Sequence, residues 1–189
     1  VALLKTAKYP LILAGNGVIR GHSSRYLIHF AETLNIPVAH TFMGKGVIPH
    51  DHPLSLSKLG MQARDYINCG FDRADVVISI GYDLVEYAPR SWNPDKRIKV
   101  LHIDQTPAEV DSYYMPAQEV NGDCRVALSQ MLEHLTPWKD GPIHKLHGAI
   151  QHEIDLFRDD ASFPMKPQRV IAEARAALGP EDILISDVG

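Results

Sequence analysis

Residues 76–80 read Val-Val-Ile-Ser-Ile, a run that is β-branched and apolar on both of its faces. A strand with no polar side must be covered above and below, which a parallel sheet flanked by helices provides. Around it, from Tyr9 to about Leu135, short apolar runs alternate with amphipathic segments. Leu11–Ala14, Ile36–His40, Val76–Ile80, Ile98–Ile103 and Gln118–Val120 are the predicted strands. Ser24–Leu34 is a predicted helix with Leu27, Phe30, Ala31 and Leu34 on one stripe, and Asn35 is its stop. Gln62–Arg73 is a second, turning Tyr66, Ile67 and Cys69–Gly70 toward the sheet. A third, Asp123–Leu135, is capped by Asp123 and buries Val126, Leu128, Met131 and Leu132. Thr106-Pro107-Ala108-Glu109 has the cap-then-proline pattern of a short helix. Met43–Leu59, punctuated by Gly44, Gly46, Pro49 and Pro53, is expected to be irregular. The fold class is α/β: a doubly wound, mostly parallel sheet of five to six strands with helices on both faces.

The character changes after Leu135. Thr136–Pro142 holds two prolines and a glycine and reads as a linker, followed by a helix over Ile143–Phe157 and a connection over Arg158–Lys166. Pro167–Leu178 is a helix with Val170, Ile171, Ala174 and Leu178 inward, and Gly179-Pro180 stops it. Asp182–Ser186 reads as a buried strand that should lead through Asp187-Val188-Gly189 into a further helix. Val1, Leu4 and Ala7 share one face of a helix tail that Pro10 ends. The expected organisation is therefore a domain over residues 1–135, a linker with a helix over 136–166, and the truncated start of another domain over 167–189. On this reading the chain is a piece of a longer polypeptide.

Composition excludes some partners. Lys plus Arg is 19 against 23 Asp plus Glu, a net charge of −4, with no basic excess to suggest nucleic acid or an anionic membrane. Its apolar runs are far too short to span a bilayer. Two cysteines, Cys69 and Cys124, are too few for a disulfide framework and point to reduced thiols in the cytoplasm.

In a doubly wound sheet, ligands bind outside the carboxyl ends of the strands. Gly15-Asn16-Gly17, Thr41–Gly44, Gly81-Tyr82-Asp83, Asp104-Gln105 and Gly122-Asp123 all fall there. Glycine after a strand lets a phosphate approach, and Asp104 can accept ribose hydroxyl hydrogens. Tight turns need glycine anyway, and the third glycine of the dinucleotide fingerprint is replaced by Arg20. His50-Asp51-His52 is the tightest histidine cluster but has no third ligand at zinc-like spacing, so a solvated turn is expected and no metal site. His144, His147 and His152 share one predicted helix, and His102 reads as a packed core histidine. Ser186 and Cys69 are nucleophiles only by residue type, with core packing expected for Cys69. Tyr82, Tyr87 and Trp92 either stack a ring or cover the sheet edge.

Taken in order, these stretches resemble a known family. Tyr9–Gly17, Asn35–Val38 with Met43–Gly46, Pro49–Pro53 with Leu59–Met61, Ala74–Gly81, His102–Asp104 and Asn121–Asp123 are similar to the Rossmann-like central domain of thiamine-diphosphate-dependent enzymes, closest to the acetolactate synthases. Gly81–Tyr87 followed by Trp92-Asn93 looks like the catabolic, FAD-independent type. The tail Ile183–Gly189 is similar to the opening strand of the family's third domain. The resemblance implies a full-length homo-oligomeric enzyme that joins two pyruvates to 2-acetolactate with loss of carbon dioxide, using thiamine diphosphate and Mg2+. Its catalytic glutamate belongs to a domain before this one, and its Gly-Asp-Gly magnesium motif to one after it. Here Gly-Asp occurs only as Gly122-Asp123, so the chain alone is expected to be inactive, with no catalytic residue of its own and other domains of the same polypeptide as its partners.

By the same resemblance, Gly15, Gly17, Thr41, Phe42, Gly60, Met61, Gln62, Gly81, Asp104 and Asp123 match a dinucleotide crevice, and Asp187 and Gly189 approach the thiamine diphosphate site. FAD is a doubtful ligand because Tyr82–Tyr87 lacks the arginine that FAD-containing relatives place there; the next is Arg90. The crevice is read as vestigial and the domain as packing the catalytic domains together. Two alternatives stand beside this one: another thiamine-diphosphate decarboxylase or carboligase, such as glyoxylate carboligase, and a non-catalytic nucleotide-binding module.

Overall fold

A computed structural model of the chain describes residues 1–60, 67–179 and 181–185. In chain order the elements are α1 (Ala2–Lys5), β1 (Pro10–Ala14), α2 (Asn16–Arg20), α3 (Ser24–Leu34), β2 (Val38–His40), β3 (Ser55–Lys58) and α4 (Asn68–Arg73). Then follow β4 (Val76–Ile80), a 3₁₀ turn (Pro89–Ser91), β5 (Lys99–Asp104), β6 (Gln118–Asn121), α5 (Cys124–Leu132), α6 (Leu146–Asp155) and α7 (Pro167–Ala177). The chain divides into two compact units, Val1–His147 and Gly148–Gly189.

The first unit holds a six-stranded sheet in the order β3-β2-β1-β4-β5-β6, with every neighbouring pair parallel. β1 and β4 are wholly buried, as the two-sided apolar runs require. Their side chains alternate between two covers. Ile12, Ala14, Ile78 and Ile80 pack with Leu27, Phe30 and Leu34 of α3 and Leu128 and Met131 of α5 in one core cluster. The opposite face carries Leu11 against Gly70 of α4, Ser79 against Tyr114, and Phe71 with its ring 5.4 Å from that of Trp92. α3 ends as expected at Asn35, whose φ of 54° places it in the left-handed region.

Several expectations need correction. Ser55–Lys58, expected irregular, is the edge strand β3: its single apolar residue, Leu56, faces the core, and two serines and a lysine hide the period. The Thr106–Glu109 segment is not helical. Asp104 takes the Thr106 N–H at 3.1 Å and the Glu119 carboxylate takes the Ala108 N–H at 3.1 Å, so side chains satisfy the amides a helix would have freed. In α5, Asp123 does cap the Arg125 N–H at 2.8 Å, but Val126 is exposed and Cys124 and Ala127 are buried. The stripe is rotated because Cys124, the first helical residue, turns its thiol to the Ile103 carbonyl of β5.

In the second unit, α7 has no buried residue, so Val170 and Ile171 do not point inward. Residues 182–185 form no strand: Ile183 and Ile185 are 84% and 88% exposed, with no ladder partner among the described residues. A strand outside a sheet leaves its amides to water, and none of the described residues of this unit offers an edge. Ser186 and residues 62–66, the first part of the helix expected over Gln62–Arg73, lie outside the described residues.

Candidate functional site

Strand order reverses between β1 and β4, and the loops leaving their carboxyl ends meet. There the three predicted glycines are packed against one another. A Cβ on Gly15 would lie 2.4 Å from the Gly81 carbonyl oxygen, one on Gly17 2.6 Å from the Gly81 Cα, and one on Gly81 2.5 Å from the Val18 nitrogen. The Gly17 N–H donates to the Gly81 carbonyl at 2.8 Å. The closeness that glycine permits is thus spent between the two loops.

Glu86 closes the same corner. It reaches back from the turn after β4, where its own N–H donates to the Asp83 carbonyl at 3.1 Å. Both of its carboxylate oxygens accept the Asn16 N–H at 3.1 Å, at the start of α2. One of them also accepts the hydroxyl of Thr41, which follows β2. The Thr41 oxygen in turn accepts the Gly44 N–H at 3.0 Å, which directs the hydroxyl proton to the carboxylate. Glu86 was not among the residues singled out from sequence. Its partners are 45 and 70 positions away, and the signal was an acid inside Tyr82–Tyr87, where arginine was sought.

Beside this corner lies a cavity of about 220 Å3 whose lining includes Arg20, Tyr82, Asp83, His102, Asp104 and Glu109. Ligand clefts for drug-sized molecules start at roughly 300 Å3. Its floor is a buried polar chain: the Tyr114 hydroxyl meets His102 Nδ1 at 2.7 Å and Ser79 Oγ at 2.5 Å, and Ser79 donates to the Leu101 carbonyl at 3.3 Å. Burial pushes the Tyr114 phenol well above its ordinary value, so it stays a neutral donor. His102 is indeed a packed core histidine, with Nε2 3.3 Å from the Thr106 carbonyl.

The other predicted residues are placed as follows. Asp104 is bound by Thr106, and the Asp123 carboxylate is held to a pKa of about 2 by the Arg125 guanidinium and backbone N–H. Phe42 is half exposed, with the Lys58 ammonium 5.9 Å from its ring centre. Gly60 follows β3, while Met61, Gln62, Asp187 and Gly189 lie outside the described residues. Tyr82, Tyr87 and Trp92 are all buried; Trp92 Nε1 donates to the Tyr82 oxygen at 3.3 Å and the Tyr82 hydroxyl donates to the Tyr87 carbonyl. They are part of the packed cover of the sheet, and Tyr82 also lines the cavity.

Several histidines are tied into the fold. The His50–His52 turn is solvated as expected, with His50 and Asp51 exposed, while the half-buried His52 anchors it: its Nδ1 accepts the Leu54 N–H at 3.1 Å and its Nε2 lies 3.1 Å from Glu32. His144 precedes α6 instead of sharing it, accepting the Gly141 N–H and donating to the Asn35 carbonyl, and His147 donates to the Ser55 carbonyl at 2.7 Å. Next to Thr41, buried His40 is pushed below its ordinary value by desolvation; its hydrogen bond to the Thr41 carbonyl opposes this, and Lys45 and Lys58 add to it. Cys69 is half-buried and Cys124 is buried, with its thiol pushed up to about 11. Among the described residues, no group of three or more His, Cys, Asp or Glu is arranged to hold a metal ion, and no helix is long and apolar enough to cross a membrane.

A family model described as "Thiamine pyrophosphate enzyme, central domain" matches residues 1–131, which span the whole sheet. A probable acetolactate synthase large subunit of Methanocaldococcus jannaschii is 32% identical over 99% of this chain and 33% of its own length. Its counterpart in Methanococcus aeolicus is 29% identical over 100% of the chain and 35% of its own length. A glyoxylate carboligase of Escherichia coli O157:H7 is 30% identical over 100% of the chain and 33% of its own length. The chain spans about a third of the length of the curated relatives it matches.

Proposed function

The chain belongs to the thiamine pyrophosphate enzyme family, as its central domain, and on that premise we propose that it is the middle layer of an acetolactate synthase. The longer polypeptide would condense two pyruvates to 2-acetolactate and carbon dioxide. The observation that carries this reading is the coincidence of the family match with the six-stranded unit, together with large-subunit relatives aligned along the whole chain. A second reading has one specific support: the glyoxylate carboligase relative aligns as fully, so another 2-oxo acid carboligase is the alternative. A stand-alone nucleotide module is disfavoured by the self-packed glycine corner.

The described residues do not fit thiamine diphosphate or Mg2+. The Gly122-Asp123 pair has its carboxylate engaged by Arg125, and no other acid cluster of metal-holding geometry accompanies it. In this reading those groups are held by other domains, with Asp187 and Gly189 on the approach, and the cofactor supplies the carbanion chemistry when bound. This chain contributes a stiff sheet between catalytic domains, and residues 167–189 begin the next one. The enzyme is proposed to be a cytoplasmic homo-oligomer with no nucleic-acid or membrane partner.

The test is to express the longer reading frame and follow acetolactate formation from pyruvate with thiamine diphosphate and Mg2+ added. Turnover of pyruvate by that protein, and none by the isolated chain, is expected. Turnover of glyoxylate but not pyruvate moves the protein to the second reading; turnover by the isolated chain overturns both.

A further inference from the structure

A dinucleotide crevice at a switch point works by offering unpaired donors to phosphate oxygens: a backbone N–H after a glycine turn and a hydroxyl from a neighbouring loop. Both donors are present here, as the Asn16 N–H and the Thr41 hydroxyl, and both are already spent on one carboxylate. We infer that Glu86 is a resident anion standing where a nucleotide phosphate would otherwise sit, so that the chain closes its own crevice against phosphorylated ligands. This rests on the dinucleotide-crevice reading of the family resemblance and names the residue responsible for the loss.

The contact is a three-way tie. Asn16 follows β1, Thr41 follows β2 and Glu86 follows β4, so one carboxylate joins the carboxyl ends of three adjacent strands. A phosphate entering this corner must displace both hydrogen bonds and then lie beside the displaced negative charge. The adjoining cavity adds Asp83, Asp104 and Glu109 against the single guanidinium of Arg20. On the Cβ side of Gly15 and Gly17 the space is taken by the Gly81 backbone. FAD therefore does not fit the corner as built.

Thermal melting of the purified chain tests this, comparing wild type with Glu86→Ala and the near-isosteric Glu86→Gln. Each is melted in chloride buffer with inorganic pyrophosphate or with sodium chloride at matched ionic strength. Wild type is expected to respond alike to the two salts. Glu86→Ala should melt lower and regain on the order of 5 °C at a hundredfold excess of pyrophosphate over its dissociation constant. Glu86→Gln, which removes the charge but keeps an acceptor oxygen in the corner, should show a smaller pyrophosphate-specific gain, and it carries the test should the alanine variant not fold. A pyrophosphate-specific shift in wild type as large as in the variants overturns the inference, and so does its absence from every variant that folds. Neither melting result depends on acetolactate formation, so failure of the enzymatic reading is separable from failure of this one.

Discussion

Gly81 has φ near +58°, and a Cβ there would lie 2.5 Å from the Val18 nitrogen. Two costs therefore coincide at one residue. The left-handed backbone costs an alanine about 1–2 kcal/mol, and a backbone clash at that distance must be relieved by moving β4's exit loop away from α2. Gly46 separates the two effects, since its φ is +95° but a Cβ there has nothing within 4 Å. Urea denaturation should show Gly46→Ala losing roughly the conformational cost alone. Gly81→Ala should lose clearly more and should also disturb the Glu86 tie. Equal losses at both positions would mean that the two loops are not locked together as described. The glycine positions themselves could be read from sequence, but not their purpose. Gly15 and Gly17 suggest a phosphate when seen alone, and only the position of Gly81, more than sixty residues later, shows that backbone takes their space.

Whole elements were legible wherever a hydrophobic period ran uninterrupted. β1, β4, β5 and α3 match the expected spans to within a residue or two because burial on both faces, or on one stripe, is written directly into residue type. β3 escaped because edge strands need few apolar residues, and Thr106–Glu109 misled because Asp104 and Glu119 outcompete a helical turn. The polar chain linking β4 and β5 was equally hidden. Ser79, His102 and Tyr114 each look unremarkable, and only the sheet register, which pairs Ser79 with His102, brings them under one phenol. Removing that hydroxyl leaves a buried imidazole nitrogen and a buried serine each short of a partner. Tyr114→Phe is therefore expected to cost about 1–3 kcal/mol of unfolding free energy, read as a lower denaturant midpoint with the slope of unfolding unchanged. A neutral result would show that water replaces the hydroxyl from the adjoining cavity.

At the scale of the molecule, the two units differ in what holds them. The core cluster of the first runs from Leu4 to Met131 and draws on every strand of the sheet except β3, with Val120 of β6 packed at its margin. The second offers α7 no buried residue, and its apolar side chains Phe163, Val170 and Ile171 are exposed. An isolated helix shorter than about 12–15 residues is marginal in water, since each turn must be held by packing rather than by propensity. α7 is 11 residues long, and its Arg169–Glu173 ion pair, four residues apart and exposed, contributes only about 0.3–0.5 kcal/mol. Native-state hydrogen exchange of this chain should therefore separate the units. Amides of β1, β4 and β5 should exchange only through global unfolding, and those of α7 many orders of magnitude sooner. If the chain is the middle layer of a larger enzyme, the same α7 amides should gain protection in the longer polypeptide, where a further domain is available to cover Val170 and Ile171. Protection of α7 equal to that of β4 in the isolated chain would contradict this, because it would require burial that none of the helix's side chains has.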